Sequence, residues 1–243
     1  GSSALVYDIT VVDSVAYVGV KDGVIEAFDL SNRTKRWEVS LGDGKYANSI
    51  TVGDRTVYAG TVQLVQGEEK LLVEGSCLAV DTADGSRQWE EDVAGGVASM
   101  RPLVDGDTVY VGGTELVALD TATGDRQWTV DFGDDEVQGV AADVETLYTT
   151  TWAGVLAHAK ADGARLWQYE DEVLTAGSPT VADGTLYTTT ADRVFGALST
   201  DSGEDKWTIE LDRSNGTGVA VAEETVYVGA GDVWALNRAD GGK

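Results

Sequence analysis

Cysteine, histidine and methionine occur once each in this chain, proline twice and lysine only seven times, and each shortage closes off a class of explanation. A lone Cys77 has no partner for an intramolecular disulfide, and without a CxxC pair the chain offers neither a typical zinc site nor a dithiol redox centre. No window sustains a 3.6-residue apolar stripe across three turns, so almost no helix is expected. No run approaches the roughly 18 apolar residues that a membrane span needs. Residues 1–7 (GSSALVY) lack the charged and apolar regions of a signal peptide. The sequence therefore predicts no transmembrane segment and a chain soluble as it stands. Positive charge is the last shortage: 17 Lys plus Arg stand against 42 Asp plus Glu, a net charge of -25, which repels nucleic acid over most of the surface.

What is plentiful is Asp, Ala, Gly, Val and Thr. That balance fits a protein from a salt-accumulating archaeon, where carboxylates hold water at the surface and salt screens their repulsion. An ordinary acidic protein is the alternative. Thirty glycines supply turns between short runs rich in Val, Thr, Tyr and Trp, residues that suit half-buried pleated surfaces.

The runs repeat. An apolar–Tyr pair recurs at Tyr17, Tyr58, Tyr110, Tyr148, Tyr187 and Tyr227, and tryptophan follows at Trp37, Trp89, Trp128, Trp167 and Trp207. Six units result, at approximately 1–41, 42–92, 93–131, 132–170, 171–211 and 212–243, with signals for four strands in a full unit. Four strands per roughly 40 residues predict an all-β propeller of four-stranded antiparallel blades in one domain. Alanine stands ten residues before each Trp position (Ala27, Ala79, Ala118, Ala157, Ala197 and, in the last unit, Ala235), a small residue that lets blades approach. Glycine stands four before it (Gly85, Gly124, Gly163, Gly203, Gly241), broken only by Arg33, where a tight turn needs positive φ. Asp29, Asp81 and Asp120 open the same turn. The tryptophans read as wedges between blades whose indole NH needs a partner.

Ala118–Trp128 matches A-x-D-x-x-T-G-x-x-x-W at every fixed position and resembles the repeat of the PQQ-like β-propellers. That superfamily includes quinoprotein alcohol dehydrogenases and the bacterial outer-membrane assembly lipoprotein. The resemblance covers the whole chain and implies that Trp37, Trp89, Trp128, Trp167 and Trp207 dock between blades. It specifies the fold and not the chemistry, since the superfamily holds both enzymes and scaffolds. The last unit stops before its Trp strand, which leaves a six-bladed ring with an incomplete last blade, a ring completed by a shifted N-terminus, or part of a longer propeller. In the dehydrogenases an adjacent-cysteine disulfide and a calcium hold PQQ. One cysteine cannot make that clamp, so no cofactor is expected. Asp105–Asp107 and Asp134–Glu136 are acidic enough for Ca²⁺ but lack EF-hand spacing, and read as solvated surface.

The loops entering each inner strand share one face with those joining second to third strands. A hairpin from about eleven extra residues within Val62–Ser76 projects on that face. Tyr46, Met100, Arg101, Trp152 and Arg213 are candidate contact residues there, because most of them break the repeat with side chains favoured at interface centres. Each also fits a local packing role. His158 falls in the core column of Phe28, Val80, Leu119, Leu198 and Leu236, which argues for a buried structural histidine rather than an acid or base. Asn32 and Asn215 sit in N-x-T triplets that match the glycosylation rule.

The sequence thus predicts a monomeric, non-enzymatic scaffold or ligand-sensing propeller, outside the cytoplasm or at the cell envelope of a halophile, with a protein or small ligand on the loop face. A quinoprotein-like or hydrolytic enzyme with its site on that face is the alternative, and an ectodomain of a larger receptor or kinase a third.

Overall fold

The computed structural model describes residues 5–21, 23–66, 71–96, 100–170, 177–191, 193–212 and 218–243. They are strands and turns with no helix. Gly1–Asp134 and Asp135–Lys243 form two compact units.

The first unit holds three antiparallel sheets. The first runs β1 (Val6–Val12), β2 (Val15–Val20), β3 (Val24–Asp29) and β4 (Thr34–Ser40) in sequential order. The second consists of β5 (Lys45–Gly53), β6 (Thr56–Gln66), β8 (Ser76–Asp81) and β9 (Arg87–Asp92), with the inserted β7 (Leu71–Glu74) paired to the overhang of β6. The third is β10 (Leu103–Asp105), β11 (Thr108–Gly112), β12 (Glu115–Asp120) and β13 (Arg126–Asp131).

The second unit repeats the plan with β14 (Val137–Ala142), β15 (Thr146–Thr151), β16 (Gly154–Ala159) and β17 (Arg165–Glu170). Its next sheet is β18 (Thr180–Ala182), β19 (Thr185–Ala191), β20 (Val194–Ser199) and β21 (Asp205–Glu210). Its last sheet has three strands, β22 (Val219–Ala222), β23 (Thr225–Ala230) and β24 (Asp232–Asn237).

Sheets stack face to face through the apolar columns of the repeat. Tyr17, Ile25, Ala27 and Trp37 of the first sheet pack on Ile50, Val57, Ala59 and Leu78 of the second. Tyr58, Cys77, Ala79 and Trp89 then pack on Val109, Val111, Val117 and Leu119 of the third. In the second unit Tyr148, Val155 and Trp167 meet Leu186 and Leu198, and Tyr187, Phe195 and Trp207 meet Val226, Val228 and Leu236. The alanine column lies directly across from its own tryptophan, as in Ala79↔Trp89 and Ala197↔Trp207, and a bulge follows at once. A methyl there leaves room for the indole of the neighbouring strand.

Each of four tryptophans is fixed by the turn of the following repeat. Trp37 Nε1 donates to Thr82 O (2.9 Å), Trp89 to Thr121 O (2.9 Å), Trp167 to Thr200 O (2.7 Å) and Trp207 to Arg238 O (2.9 Å). That turn is closed by the glycine amide, as Gly85 N to Asp81 O and Gly124 N to Asp120 O, while the Asp81 and Asp120 carboxylates accept from Ala83 N and Ala122 N. The glycines have φ near +75°. They also touch the docked indole: a Cβ on Gly124 would lie 2.7 Å from Trp89 Cδ2, and one on Gly203 2.6 Å from Trp167 Cε3. Two constraints, φ and close approach, thus fall on one residue. Arg33 takes φ 60° at this place in the first repeat.

Candidate functional site

At the ends where the inner strands begin, the first unit carries most of the irregular side chains. Tyr46, near the start of β5, is half-buried and stacks on Tyr7 of β1 with ring centroids 4.9 Å apart. Arg101 reaches across two inner strands. Its Nη1 donates to Thr10 Oγ1 (2.9 Å) and Ile50 O (2.8 Å), and its Nη2 to Asp8 Oδ1 (2.6 Å), while Asp8 Oδ2 accepts from Ile50 N (2.6 Å). Half exposed, it is a staple between β1 and β5 as well as a surface cation. Met100 corrects an expectation: its side chain is 1% exposed, so it fills the interior and presents nothing to a partner.

The insertion in the second repeat makes β6 eleven residues long and pairs its overhang with β7 through Gln63↔Glu74 and Leu64↔Val73. Leu64 is 56% exposed and Val73 41%, a cross-strand apolar pair facing solvent. The hairpin is seated by glycines: a Cβ on Gly75 would lie 2.9 Å from Gly96 Cα, so its base rests on the loop that leads to the third sheet.

Beside it lies a groove of about 460 Å³ lined by Lys45, Gln63, Glu74, Asp92, Glu115 and Arg126 among others. Lys45 Nζ donates to Glu90 Oε1 (2.8 Å), a carboxylate also held by Arg87 (3.0 Å) and Ser76 Oγ (2.7 Å). Burial pushes the Glu90 pKa up, but the Lys45 and Ser76 hydrogen bonds and the nearby positive charges outweigh it, so the net shift is down. Arg126 forks onto Glu115 with two 3.0 Å bonds and onto Glu91 at 2.6 Å, and the Glu115 contacts raise its pKa. The cations of the groove are thus already paired, and Glu74 and Asp92 keep its rim negative. A larger hollow of about 640 Å³ lies where turn Asp54–Arg55 faces Asp107 and Thr121. Its Thr121 carbonyl is the acceptor of the docked Trp89, which ties that hollow to blade packing.

In the second unit Trp152 occupies the turn between β15 and β16, 41% exposed. The Asp135 carboxylate accepts from Trp152 N (3.0 Å) and Ala153 N (3.3 Å), which fixes the turn that presents the indole. His158 is 1% exposed, with Nδ1 3.2 Å from Gly163 O and Nε2 3.4 Å from Thr149 Oγ1. Burial lowers its pKa, which keeps the ring neutral inside the sheet. Arg213 and Asn215 lie outside the described residues. Asn32 is exposed, its side-chain oxygen accepting from Thr34 N and Oγ1.

The groove was missed from sequence because Lys45, Glu90, Glu115 and Arg126 look like ordinary surface charges. The available signal was the basic residue two before Trp, at Lys35, Arg87, Arg126 and Arg165. Arg87 and Arg126 each donate to a carbonyl at the end of the preceding sheet, Ser40 O and Asp92 O.

A PQQ clamp of adjacent cysteines does not fit these residues, since Cys77 is single and fully buried in β8, where burial pushes its thiol pKa up. Asp107 belongs to a β-turn and Asp135 is spent on the Trp152 turn. Among the described residues no three His, Cys, Asp or Glu side chains are gathered as metal ligands. No helix among them is long and apolar enough to cross a membrane.

The sequence profile of the outer membrane protein assembly factor BamB matches residues 2–169 and, in a second placement, 115–243. BamB of Salmonella typhimurium is 34% identical over 99 residues, 39% of this chain and 24% of that protein. The chain thus aligns with about a quarter of that curated relative. The crystal structure of BamB from Moraxella catarrhalis superposes with a TM-score of 0.58 at 19% identity, covering 97% of this chain and 87% of that one. A quinohemoprotein alcohol dehydrogenase from Pseudomonas putida HK5 gives 0.77 at 14% identity, covering 97% and 57%. These likenesses establish the fold, a β-propeller. With the repeat, the sheet order and the profile match in agreement, the chain belongs to the BamB family of PQQ-like β-propellers.

Proposed function

We propose that this chain is a non-enzymatic scaffold that docks a protein partner at the cell envelope, through the β6–β7 hairpin and the adjoining groove of the first unit. The observation that carries the reading is the hairpin itself. It is an insertion on an otherwise regular repeat, it holds Leu64 and Val73 out to solvent, and it stands beside a charged groove. An exposed apolar pair rimmed by charge is the usual anatomy of a protein contact. The name of the relatives, an assembly factor for outer membrane proteins, supports both a protein partner and an envelope location. The composition extends the proposal to a halophilic source.

The dehydrogenase likeness supports no second reading, because the residues for holding PQQ do not fit. The test is retention of partners at molar salt by the natural chain and by a Leu64→Asp, Val73→Asp variant. Both positions face solvent, so the fold survives the change. A partner kept by the natural chain and lost at least tenfold by the variant is expected. Equal retention, or turnover of alcohols with added PQQ and calcium, overturns the proposal.

A further inference from the structure

Asn32 opens the triplet Asn32-Arg33-Thr34 in the turn between β3 and β4, and all three residues are exposed. Its Oδ1 accepts two hydrogen bonds from the last of them, from Thr34 N at 3.1 Å and Thr34 Oγ1 at 2.7 Å. Its Nδ2 has no acceptor among the described residues. The other repeats show what the turn itself requires. Asp84, Thr123, Asp162 and Ser202 stand in the same place, and a side-chain oxygen of each accepts from the amide two residues on, at 2.9, 3.2, 3.0 and 3.3 Å. An oxygen is enough to close the turn. The amide nitrogen of Asn32 is therefore surplus to folding, on a side chain that an enzyme can reach. Exposure belongs to this place in the repeat: Asp84, Thr123 and Ser202 are exposed as well, although Trp37, Trp89 and Trp167 are docked on their turns.

We propose that Asn32 is an acceptor for an N-linked oligosaccharide. The donor is of the lipid-linked class, a sugar chain joined through its anomeric carbon to a polyprenyl phosphate. Nδ2 attacks that carbon and the new C–N bond replaces the C–O bond to phosphate. The phosphate leaves with the electron pair, and one Nδ2 proton passes to a base of the transferring enzyme. Asn-x-Thr is the spacing such enzymes read. The two donors on Oδ1 stabilise the negative charge that builds on the amide as the proton leaves. Arg33 adds to the fit. It has no ion-pair partner among the described residues, so the anionic donor meets a positive charge beside the amide on a chain of net charge -25. Strand order puts the β3–β4 turn at the end of its sheet away from the β2–β3 connection, the counterpart of the β6–β7 hairpin, so a glycan here leaves that hairpin uncovered. The inference rests on the envelope location proposed above, since this modification belongs to secreted chains, and not on the role of the hairpin.

The probe is the purified, folded chain incubated with a membrane-bound oligosaccharyltransferase that accepts Asn-x-Thr and with its lipid-linked oligosaccharide, a short Asn-x-Thr peptide serving as control. Intact mass, and fragmentation of the tryptic peptide of residues 22–33, read the product. One glycan on Asn32 is expected, with occupancy at least tenfold lower in Thr34→Ala and none in Asn32→Asp. Asn32→Asp keeps the oxygen that Asp84 and Asp162 use, so its thermal midpoint should match that of the natural chain while transfer is lost. Thr34→Ser keeps the hydroxyl and should retain transfer. A chain left bare while the control peptide is modified, transfer unaffected by Thr34→Ala, or a glycan on Asn215 with Asn32 bare overturns the inference. A chain that takes the glycan here yet is bare when isolated from its own cells supports the acceptor and overturns the envelope location, so the two failures are told apart.

Discussion

Replacing Gly124 by alanine separates the two demands made on the turn glycines. Alanine at φ 77° costs about 1–2 kcal/mol for the left-handed backbone alone. Its Cβ would also lie 2.7 Å from Trp89 Cδ2, and overfilling a packed site of that kind costs about 1–3 kcal/mol more. Gly106, at φ 57° in the β10–β11 turn, has nothing within 4 Å of where a Cβ would stand and so isolates the backbone cost. Gly106→Ala should therefore lose about 1–2 kcal/mol and Gly124→Ala about 2–5. For a chain of this length each kcal/mol is worth roughly 2–4 °C of thermal midpoint, a difference that circular dichroism resolves. Trp89→Ala by itself removes a large core side chain, at about 3–5 kcal/mol. Because the Gly124→Ala clash disappears with the indole, the double variant should cost about 1–3 kcal/mol less than the two single losses together. Equal midpoint losses for Gly106→Ala and Gly124→Ala, or a strictly additive double variant, would refute the close-approach argument.

Two further outcomes follow from charge. His158 has a lowered pKa in the folded chain, so as pH falls through the ordinary histidine value the unfolded chain takes up its proton first and stability drops. His158→Leu, matching Leu119 and Leu198 in the same column, should remove that component; an unchanged pH profile between pH 7 and 5 counts against a buried neutral ring. Asp120, Asp143 and Glu90 have lowered pKa values and add a separate loss only as pH falls through the carboxylate range. The net charge of -25 predicts a higher midpoint in molar than in millimolar KCl, since the screening length shrinks from roughly 30 Å at 0.01 M to 3 Å at 1 M. Equal midpoints would remove the halophile argument.

The columns of the repeat carried most of the architecture into view, because each position answers to one packing demand that recurs. Ala, Gly and Trp could be assigned places before any coordinates. What the columns hid was the recipient of the indole NH of Trp37, Trp89, Trp167 and Trp207, a carbonyl of the next repeat, because backbone acceptors leave no mark on residue identity. Met100 misled for the opposite reason. A residue that breaks the pattern was read as surface, while thioethers commonly fill irregular core gaps. Arg101 looked like a contact residue and is largely engaged with Asp8, Thr10 and Ile50, partners distant in sequence. The groove was illegible because its charges are distributed over β5, β9, β12 and β13.

The turns at Gly85, Gly124, Gly203 and Gly241 each receive the indole of the repeat before, and a Cβ on any of these glycines would sit 2.6–2.9 Å from that ring. At the same place in the first repeat Arg33 carries a full side chain at φ 60°, so that turn keeps the left-handed backbone without glycine. A repeat that holds both a Trp strand and a glycine turn carries both halves of the joint, and a copied repeat inherits them together. Gene duplication can therefore lengthen such a series from within, because each copy brings the turn that receives one indole and the indole that fills the next turn.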